Sequence, residues 1–587
     1  MEFEQKAEEK KMSMSKNIAR LAVTAGLTAA LSFGGVMAPV TMAFADDAAA
    51  TTNSITINKI NGNENVEYKA YQIFKAKVTD TEKGKTAQDI TWANETLGPK
   101  VVKAIKENWT GYNSLDQDKR LSDEPTAQEV AEFLMANAGP TIAGSSDGSN
   151  EGTRLKTDNV LYAVANVVKD QTPAASSHDT GDAWTFSSQS SGYYLFVTSD
   201  LEGNQPNTGT SPIFAIVGGK SVTVTEKTSI PTVNKEVLEG AKWGNVSDSY
   251  IGEEVEYKLT GSVADNIATF SKYQYEFHDT LSKGLEAAEE SGNTPKDLHV
   301  YIENKDNKTE IAQDDTNGYK VTLNRDSTTK KENLTIAFTD LKTVKDKTGN
   351  TIKVDADSKV VVTYKATLTS DAEYTATGNT NDVELVYSNN PMTSDTGTST
   401  SKRVTDHVFR LDVTKVERDN QDQKLEATFQ VKMINEGDAP LKTEKWLTKT
   451  GGITDKEEEA GKFKTNKETG KIYIPGLVEG TYEITECNTP AGYNTLAPFT
   501  ITVKATYDND GILTNLAVTP SDSVMVAPEK ANGATIPVTI RNKKGTGLPL
   551  TGLNGVTFTW IAGGAVLCIG VAHLIRSRKQ AEESEQE

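Results

Sequence analysis

The sequence predicts a mainly β fold, built as tandem immunoglobulin-like β-sandwich domains with some helix in the first domain. From residue 229 onward, short runs that alternate apolar and polar residues are separated by Gly, Asn, Asp and Ser, as is typical of antiparallel sandwiches. Between residues 54 and 228, β-like runs flank two helix-like stretches, 101–109 and 126–138, whose apolar residues recur every three or four positions. Residues 46–551, roughly 500 in number, suggest about three domains at about 100 to 200 residues per domain.

Residues 1–45 have the three parts of a secretory signal peptide. A basic stretch at 16–20 leads into an apolar run at 21–43, which ends in a small-x-small cleavage pattern at 43–45. A retained membrane anchor is the alternative, but the abrupt change to acidic and polar residues favours removal. The exported chain is therefore expected to begin near Asp46.

Residues 548–587 contain three consecutive features: a short motif, an apolar stretch at 553–575 and a tail at 576–587 that starts with basic residues. The stretch is long enough to span a bilayer, and basic residues belong on its cytoplasmic side. A plain anchor would explain these two features, but the motif in this position resembles the LPxTG cell-wall sorting signal. That resemblance implies a sortase whose cysteine attacks the Thr551 carbonyl and holds it as an acyl-enzyme. The motif is Leu548, Pro549, Leu550, Thr551 and Gly552.

Composition excludes several classes of partner and site. The formal net charge of −20 makes nucleic acid and anionic membrane surfaces poor partners. Of the two cysteines, Cys487 and Cys568, the second lies in the predicted span, so no internal disulfide is expected. The five histidines are scattered without metal-ligand spacing, and neither a metal nor a cofactor is predicted.

Two polar linkers divide the exported part into domains at 46–228, 229–405 and 406–547. The linkers are the segment near 228–231 and the Ser- and Thr-rich run 392–406. The second and third domains each open with a strand that carries one lysine. Because side chains alternate faces along a strand, Lys235 and Lys415 should both point inward.

An asparagine and a carboxyl group match each inward lysine. Strand parity places Asn389 and Asn542 inward near the ends of the two domains, and Asp279 and Glu486 inward on middle strands. Burial lowers the pKa of an amine and raises that of a carboxyl group, which yields a neutral nucleophile beside a protonated acid. Enforced proximity then favours attack on the asparagine, with loss of ammonia and formation of a Lys-Asn isopeptide bond. The alternative for each lysine is a stem that lines an apolar edge while its head reaches water.

The chain resembles the major backbone pilins of sortase-assembled Gram-positive pili, of the SpaA and FimA type. Residues 482–493 (YEITECNTPAGY) look like the E-box of their last, CnaB-type domain. Residues 279–285 and 387–391 look like parts of the preceding, CnaA-like domain. In that domain Asn381 also faces inward and Asn390 is adjacent, so both stay open as alternatives to Asn389.

Pilins of this family carry a lysine in a pattern like V-x-V-x-P-K near the end of the first domain. Residues 222–227 (VTVTEK) match this pattern except that Glu226 replaces the proline. The resemblance implies that Lys227 is the amine that resolves the acyl-enzyme and joins one subunit's Thr551 to the next. Lys220 is a rival for that role.

The predicted function is that of a structural, non-enzymatic subunit of a covalent pilus on the Gram-positive cell surface. Head-to-tail linkage between two different sites does not close, so it generates a fibre. The resemblance implies as partners identical subunits, pilus and housekeeping sortases, tip and basal pilins, peptidoglycan and a host ligand. The rival hypotheses are a monomeric wall-anchored adhesin and a surface hydrolase, for which no nucleophile-base-acid motif is present.

Overall fold

The structure is a computed structural model, and it describes residues 53–59, 66–81, 84–138, 155, 157–198, 205–206, 208–226, 229–287, 294–305 and 307–546. Within these ranges the chain is mainly β, arranged as paired sheets with helices near the N-terminal part, so the predicted fold class is confirmed. The strands fall into three successive groups, here named the first, second and third sandwich.

The first sandwich contains two sheets, in the strand orders β10-β1-β6-β5 and β3-β2-β7-β9, with β4 beside β2. Its first strand pairs in parallel with its last, β1 with β10. The strands are β1 (Ile55–Asn58), β2 (Tyr68–Thr81), β3 (Gly84–Trp92), β4 (Ala175–Ser176), β5 (His178–Asp179), β6 (Ala183–Phe186), β7 (Gly192–Thr198), β8 (Gln205–Pro206), β9 (Ile213–Val217) and β10 (Val222–Thr225).

The described residues of the same part of the chain form three α-helices: α1 (Leu97–Lys103), which continues as a π-helical turn (Ala104–Asn108), α2 (Ala127–Asn137) and α3 (Val160–Val168). α2 begins with a capping box between Thr126 and Glu129, which satisfies two N-terminal backbone N–H groups. Sequence reasoning missed α3 because its residues are almost all apolar and buried, so the stretch has no polar face to reveal a helical period. Short 3-10 turns occupy Tyr112–Ser114, Gln117–Lys119, Ile267–Thr269, Leu341–Thr343 and Glu457–Glu459.

The second sandwich pairs a sheet ordered β12-β11-β14-β21-β17-β18 with one ordered β13-β24-β22-β15-β20-β19. β16 adds to β21, and β23 pairs with both β22 and β8. The strands are β11 (Val233–Glu239), β12 (Lys242–Gly244), β13 (Val246–Asp248), β14 (Glu254–Ser262), β15 (Tyr275–Leu281), β16 (Leu285–Ala287), β17 (His299–Asn304), β18 (Asn307–Glu310), β19 (Lys320–Arg325), β20 (Glu332–Phe338), β21 (Lys359–Leu368), β22 (Asn379–Ser388), β23 (Thr396–Thr398) and β24 (Lys402–His407).

The third sandwich pairs a sheet ordered β30-β25-β35-β34 with one ordered β28-β27-β26-β31-β32-β33, with β29 beside β26. The strands are β25 (Phe409–Glu417), β26 (Thr428–Glu436), β27 (Ala439–Leu447), β28 (Ile453–Thr454), β29 (Phe463–Lys464), β30 (Lys471–Leu477), β31 (Gly480–Asn488), β32 (Phe499–Tyr507), β33 (Leu513–Pro520), β34 (Val526–Pro528) and β35 (Thr535–Asn542).

The composition of the polar run 392–406 suggested an open linker, but the structure shows that this run is not one. It contains β23 and β24, both paired with β22 of the second sandwich. β24 continues to His407 and β25 begins at Phe409, so the change of sheet occurs at Val408 rather than between residues 405 and 406. The Ser and Thr residues of this run form strand ladders because strands accept such residues on half-buried faces.

Backbone and side-chain contacts join successive sandwiches. Met392 of the second sandwich packs into the core of the first. At the next junction, the Asn245 side chain donates to the Asn509 carbonyl at 2.7 Å, and the buried His407 ring donates to the Gly511 carbonyl at 2.9 Å. Both junctions therefore contain buried or directed contacts beyond the connecting chain.

Candidate functional site

The third sandwich holds a lysine, a glutamate and an asparagine side by side in its core. Lys415 on β25 and Asn542 on β35 belong to parallel neighbouring strands, in which Lys415 is level with Ile540 and Glu417 with Asn542. Glu486 lies on β31 in the facing sheet. The exposed fractions are 0% for Lys415 and Asn542 and 4% for Glu486. Two strands of one sheet and one strand of the other thus bring the three groups together in a dry interior.

These three side chains contact one another in every combination. The Lys415 amine donates a short hydrogen bond to Asn542 Oδ1 and lies 3.4 Å from Glu486 Oε1. Asn542 Nδ2 donates to both Glu486 oxygens at 3.0 Å and to the Asn494 carbonyl at 3.0 Å. The amine therefore touches the amide carbonyl, and the carboxyl group touches both the amine and the amide nitrogen.

Burial sets the charge state of the amine. Desolvation lowers the pKa of Lys415 to about 8, although the nearby Glu486 carboxyl acts in the opposite direction. At pH 7 roughly a tenth of such an amine is neutral, which is the nucleophilic form. The Phe429 ring, 5.4 Å from Nζ, forms part of the apolar wall that excludes water.

The second sandwich holds a related cluster of four groups. Lys235 on β11 and Tyr364 on β21 lie in one sheet, and Asp279 on β15 and Asn381 on β22 lie in the other. Lys235 Nζ donates to Asp279 Oδ1 at 2.5 Å, and the Tyr364 hydroxyl donates to Asp279 Oδ2 at 2.7 Å. Asn381 Nδ2 in turn donates to the Tyr364 oxygen at 2.7 Å. A continuous chain of contacts therefore joins the amine to the amide across the core.

This second cluster is as buried as the first. Lys235 is 3% exposed, Asp279 2%, and Tyr364 and Asn381 0%. Desolvation lowers the pKa of Lys235 and raises that of Asp279, and their mutual attraction opposes both shifts. Asn381 Oδ1 is buried without a hydrogen-bond partner among the described residues, although such oxygens are usually satisfied.

The strand register favours Asn381 over Asn389 as the partner of Lys235. β15 and β22 pair with Asp279 opposite Val383, so the inward asparagine closest to Asp279 along β22 is Asn381, and the equally inward Asn379 is more distant. Asn389 lies six positions beyond Val383, which is roughly 20 Å along a strand. Parity places Asn381 and Asn389 on the same face, but only the strand register shows which of them is nearer to Asp279, the residue that contacts the lysine.

Asn389 and its neighbour Asn390 instead join the second sandwich to the first. Asn389 Nδ2 donates to Thr208 Oγ1 at 2.6 Å, and the Asn389 carbonyl accepts from the Thr210 N–H at 2.7 Å. Asn390 Nδ2 donates to Thr198 Oγ1 at 2.8 Å. Both asparagines are buried by this junction, which explains their position at the end of an apolar strand.

The first sandwich has a lysine that sequence reasoning missed. Lys59 follows Ile57 by two residues at the end of β1, the same spacing as Lys235 after Val233 and Lys415 after Val413. Lys59 pairs at 2.7 Å with Asp179, whose side chain is 52% exposed, and its amine lies over the Trp184 ring. Because its carboxylate partner is open to water, we expect no internal bond at Lys59.

Lys227 and the sorting motif 548–552, which are predicted to link subunits, lie outside the described ranges. The apolar stretch 553–575 and the tail 576–587 also lie outside them. The predicted signal peptide does so as well. Glu226, which stands where the family pattern has proline, is described: it is 2% exposed, and its carboxylate accepts from the Tyr68 hydroxyl at 2.6 Å. Its backbone N–H donates to the Asn58 carbonyl at 2.9 Å, so β10 is held against β1 up to the residue before Lys227.

Other candidate chemistry receives no support from the described part of the chain. There, no group of three or more His, Cys, Asp and Glu side chains has a geometry for binding a metal. Cys487 is exposed and has a free thiol. No helix in the described ranges is long and apolar enough to cross a membrane.

A search of curated proteins returns no match to this chain. Among solved structures, the T6 backbone pilin of serotype M6 Streptococcus pyogenes matches at 14% identity over 85% of this chain and 100% of that chain, with a TM-score of 0.47. The major pilin SpaA of Corynebacterium diphtheriae matches at 13% identity over 84% and 100%, with a TM-score of 0.42. The pilus 2b backbone protein of group B streptococcus matches at 22% identity over 54% and 98%, with a TM-score of 0.36.

Residues 409–517 match the family described as SpaA, prealbumin-like fold domain. The matched segment begins with β25 and ends within β33, so it includes Lys415 and Glu486 but stops before Asn542. This segment includes residues 482–493, so the resemblance of this part of the chain to SpaA-type pilins is confirmed.

Proposed function

We propose that the protein is the structural backbone subunit of a sortase-assembled pilus, stiffened by two self-formed Lys-Asn isopeptide bonds. The single observation that carries this proposal is the buried contact set of Lys415, Glu486 and Asn542, of which Lys415 and Glu486 lie in the segment that matches the SpaA prealbumin-like domain. An unpaired buried ammonium is expensive, and a reaction that converts amine and amide into a neutral secondary amide removes that penalty permanently.

In the third sandwich the neutral Lys415 amine attacks the Asn542 side-chain carbonyl carbon. The Nζ–Cγ bond forms, the Cγ–Nδ2 bond breaks, and ammonia leaves with a proton that originates on Nζ. Glu486 is suited to carry that proton, because it contacts both the attacking and the leaving nitrogen. The product joins the first strand of this sandwich to its last, along the direction in which a fibre under tension would be pulled.

In the second sandwich the corresponding groups are Lys235, Asp279 and Asn381. The contacts support this assignment, because Asp279 and Tyr364 join the Lys235 amine to the Asn381 amide in one buried chain. Both bonds form within one chain and only once, so they are maturation steps and not enzyme activity.

Polymerisation is proposed to use the two ends of the exported chain. A pilus sortase cleaves after Thr551 and transfers its carbonyl to Lys227 of an identical subunit, and a housekeeping sortase joins the last subunit to peptidoglycan. Tip and basal pilins and a host ligand complete the proposed partners. The proposed location is the surface of a Gram-positive cell.

Loss of the linking amine tests this function. Wall extracts boiled in detergent are expected to show a ladder of covalent multimers, which Lys227→Ala abolishes because no amine resolves the acyl-enzyme. Lys220→Ala is the matched control: Lys220 is exposed, lies seven positions before Lys227 in the sequence and should leave the ladder intact when it is replaced. Immunoblots of the extracts report both results.

Two outcomes of that blot contradict the proposal. A single wall-linked species in the unmodified protein would indicate a monomeric adhesin. A ladder that survives Lys227→Ala but disappears with Lys220→Ala would assign the linkage to the other lysine.

A further inference from the structure

The carboxyl groups of the two clusters are placed differently with respect to the nitrogen that must leave. In the third sandwich, Glu486 accepts directly from Asn542 Nδ2 at 3.0 Å. In the second, Asp279 contacts Lys235 and Tyr364, and among the described residues Asn381 Nδ2 donates to the Tyr364 oxygen and not to Asp279. The second sandwich therefore needs another group to bring a proton to its leaving nitrogen.

We propose that Tyr364 is a catalytic residue of bond formation in the second sandwich, and that its hydroxyl relays a proton from Asp279 to the leaving nitrogen of Asn381. The inference rests on the proposed Lys235–Asn381 bond. It rests also on two contacts of the same length, 2.7 Å from the Tyr364 oxygen to Asp279 Oδ2 and 2.7 Å to Asn381 Nδ2.

The proton movements balance along this path. The reaction starts from a neutral Lys235 amine and a protonated Asp279, and Nζ bonds to Asn381 Cγ. Nζ then releases a proton to Asp279 Oδ1, Oδ2 passes a proton to the Tyr364 oxygen, and the Tyr364 hydroxyl proton moves to Nδ2. The Cγ–Nδ2 bond breaks, ammonia departs, and Asp279 and Tyr364 regain their initial protonation.

The surroundings keep Tyr364 in the neutral form that such a relay needs. Desolvation, followed by the nearby Asp279 carboxyl group, raises the pKa of Tyr364 well above its ordinary value. Its ring stacks on Tyr257 with centroids 5.5 Å apart, which fixes the position of the hydroxyl. The Lys235 amine lies 5.9 Å from the Tyr364 ring centroid, so amine, relay and amide share one pocket.

The chain supplies a matched control for the hydroxyl. Tyr257 and Tyr364 are both 0% exposed, stack on each other and lie on neighbouring strands of one sheet. Within the described residues, the Tyr257 hydroxyl has no hydrogen-bond partner. Tyr257→Phe and Tyr364→Phe therefore each remove one phenol hydroxyl group from neighbouring positions. The Tyr364 hydroxyl belongs to the proposed relay, and the Tyr257 hydroxyl does not.

The test follows bond formation over time in the chain from residue 46 to 551, made by cell-free synthesis and quenched in acid at intervals. Mass spectrometry of digests quantifies the Lys235–Asn381 and Lys415–Asn542 linked peptides. Tyr364→Phe is expected to slow the first by about 100-fold or more, the usual contribution of general acid–base catalysis, and to leave the second unchanged. Tyr257→Phe is expected to change neither by more than about threefold.

Two results would overturn the relay. One is formation of the Lys235–Asn381 peptide by Tyr364→Phe at the normal rate, and the other is equal slowing by both variants, which would indicate a packing effect. Absence of that peptide from the unmodified chain would instead remove the proposed bond itself, and the relay with it. The Lys415–Asn542 peptide shows in every sample that the third sandwich has folded, and the Tyr257→Phe variant controls for packing effects in the second.

Discussion

Glu486→Gln is expected to prevent the internal bond of the third sandwich and to lower its thermal midpoint by on the order of 15 °C. The substitution keeps the size of the side chain but removes the group that carries protons between Lys415 and Asn542. A cross-link that closes a loop of 127 residues stabilises a fold by about 5 kcal/mol through the entropy of the unfolded chain. The variant also retains a buried amine, which adds to the loss.

Glu483→Gln provides the control for this measurement. Glu483 lies on the same strand, β31, but its parity is opposite and it is only half-buried, so it does not enter the cluster. Calorimetry of the exported chain should show a lowered transition only for Glu486→Gln, together with retention of one ammonia in the intact mass. Formation of the bond in Glu486→Gln at the normal extent would show that the carboxyl group is dispensable.

Asn381→Ala is expected to abolish the internal bond of the second sandwich, whereas Asn389→Ala is expected to leave it intact. Only Asn381 is connected to Lys235 through the Asp279 and Tyr364 contacts. Loss of a cross-link between residues 235 and 381 removes a loop constraint worth about 5 kcal/mol. The intact mass should fall below the sequence value by about 17 Da in Asn381→Ala and by about 34 Da in Asn389→Ala.

The two asparagine variants should also differ in how they affect the junction with the first sandwich. Asn389→Ala removes the hydrogen bond to Thr208 and should increase protease sensitivity between the first two sandwiches without changing the bond count. Asn381→Ala should leave that junction unchanged. If Asn389→Ala eliminated the second bond instead, the assignment based on register would be wrong.

Strand parity correctly predicted that Lys235 and Lys415 are buried, but it did not identify the buried Lys85 of the first sandwich. Lys235 and Lys415 alternate with polar residues in runs whose other inward members are apolar, and both are fully enclosed. The third cluster was also predictable as a set, because a single asparagine ends the last strand there and few alternatives exist. The mainly β architecture follows from the same alternation.

Strand register and neighbours from other strands could not be predicted from sequence. Parity has a period of two, so it cannot distinguish Asn381 from Asn389, which differ by an even number of positions. The contacts of Tyr364 depend on how two sheets face each other, and no local pattern encodes that. Lys59 shares the lysine spacing, and its distinction lies in the exposed Asp179 that it meets in space.

Intact mass spectrometry of the chain from residue 46 to 551 tests most directly whether the two clusters react. The expected mass is about 34 Da below the value calculated from the sequence, which corresponds to two lost ammonia molecules. Digestion should yield one peptide that links Lys415 to Asn542 and one that links Lys235 to Asn381. A mass equal to the sequence value, with all four side chains recovered in unlinked peptides, would contradict the account.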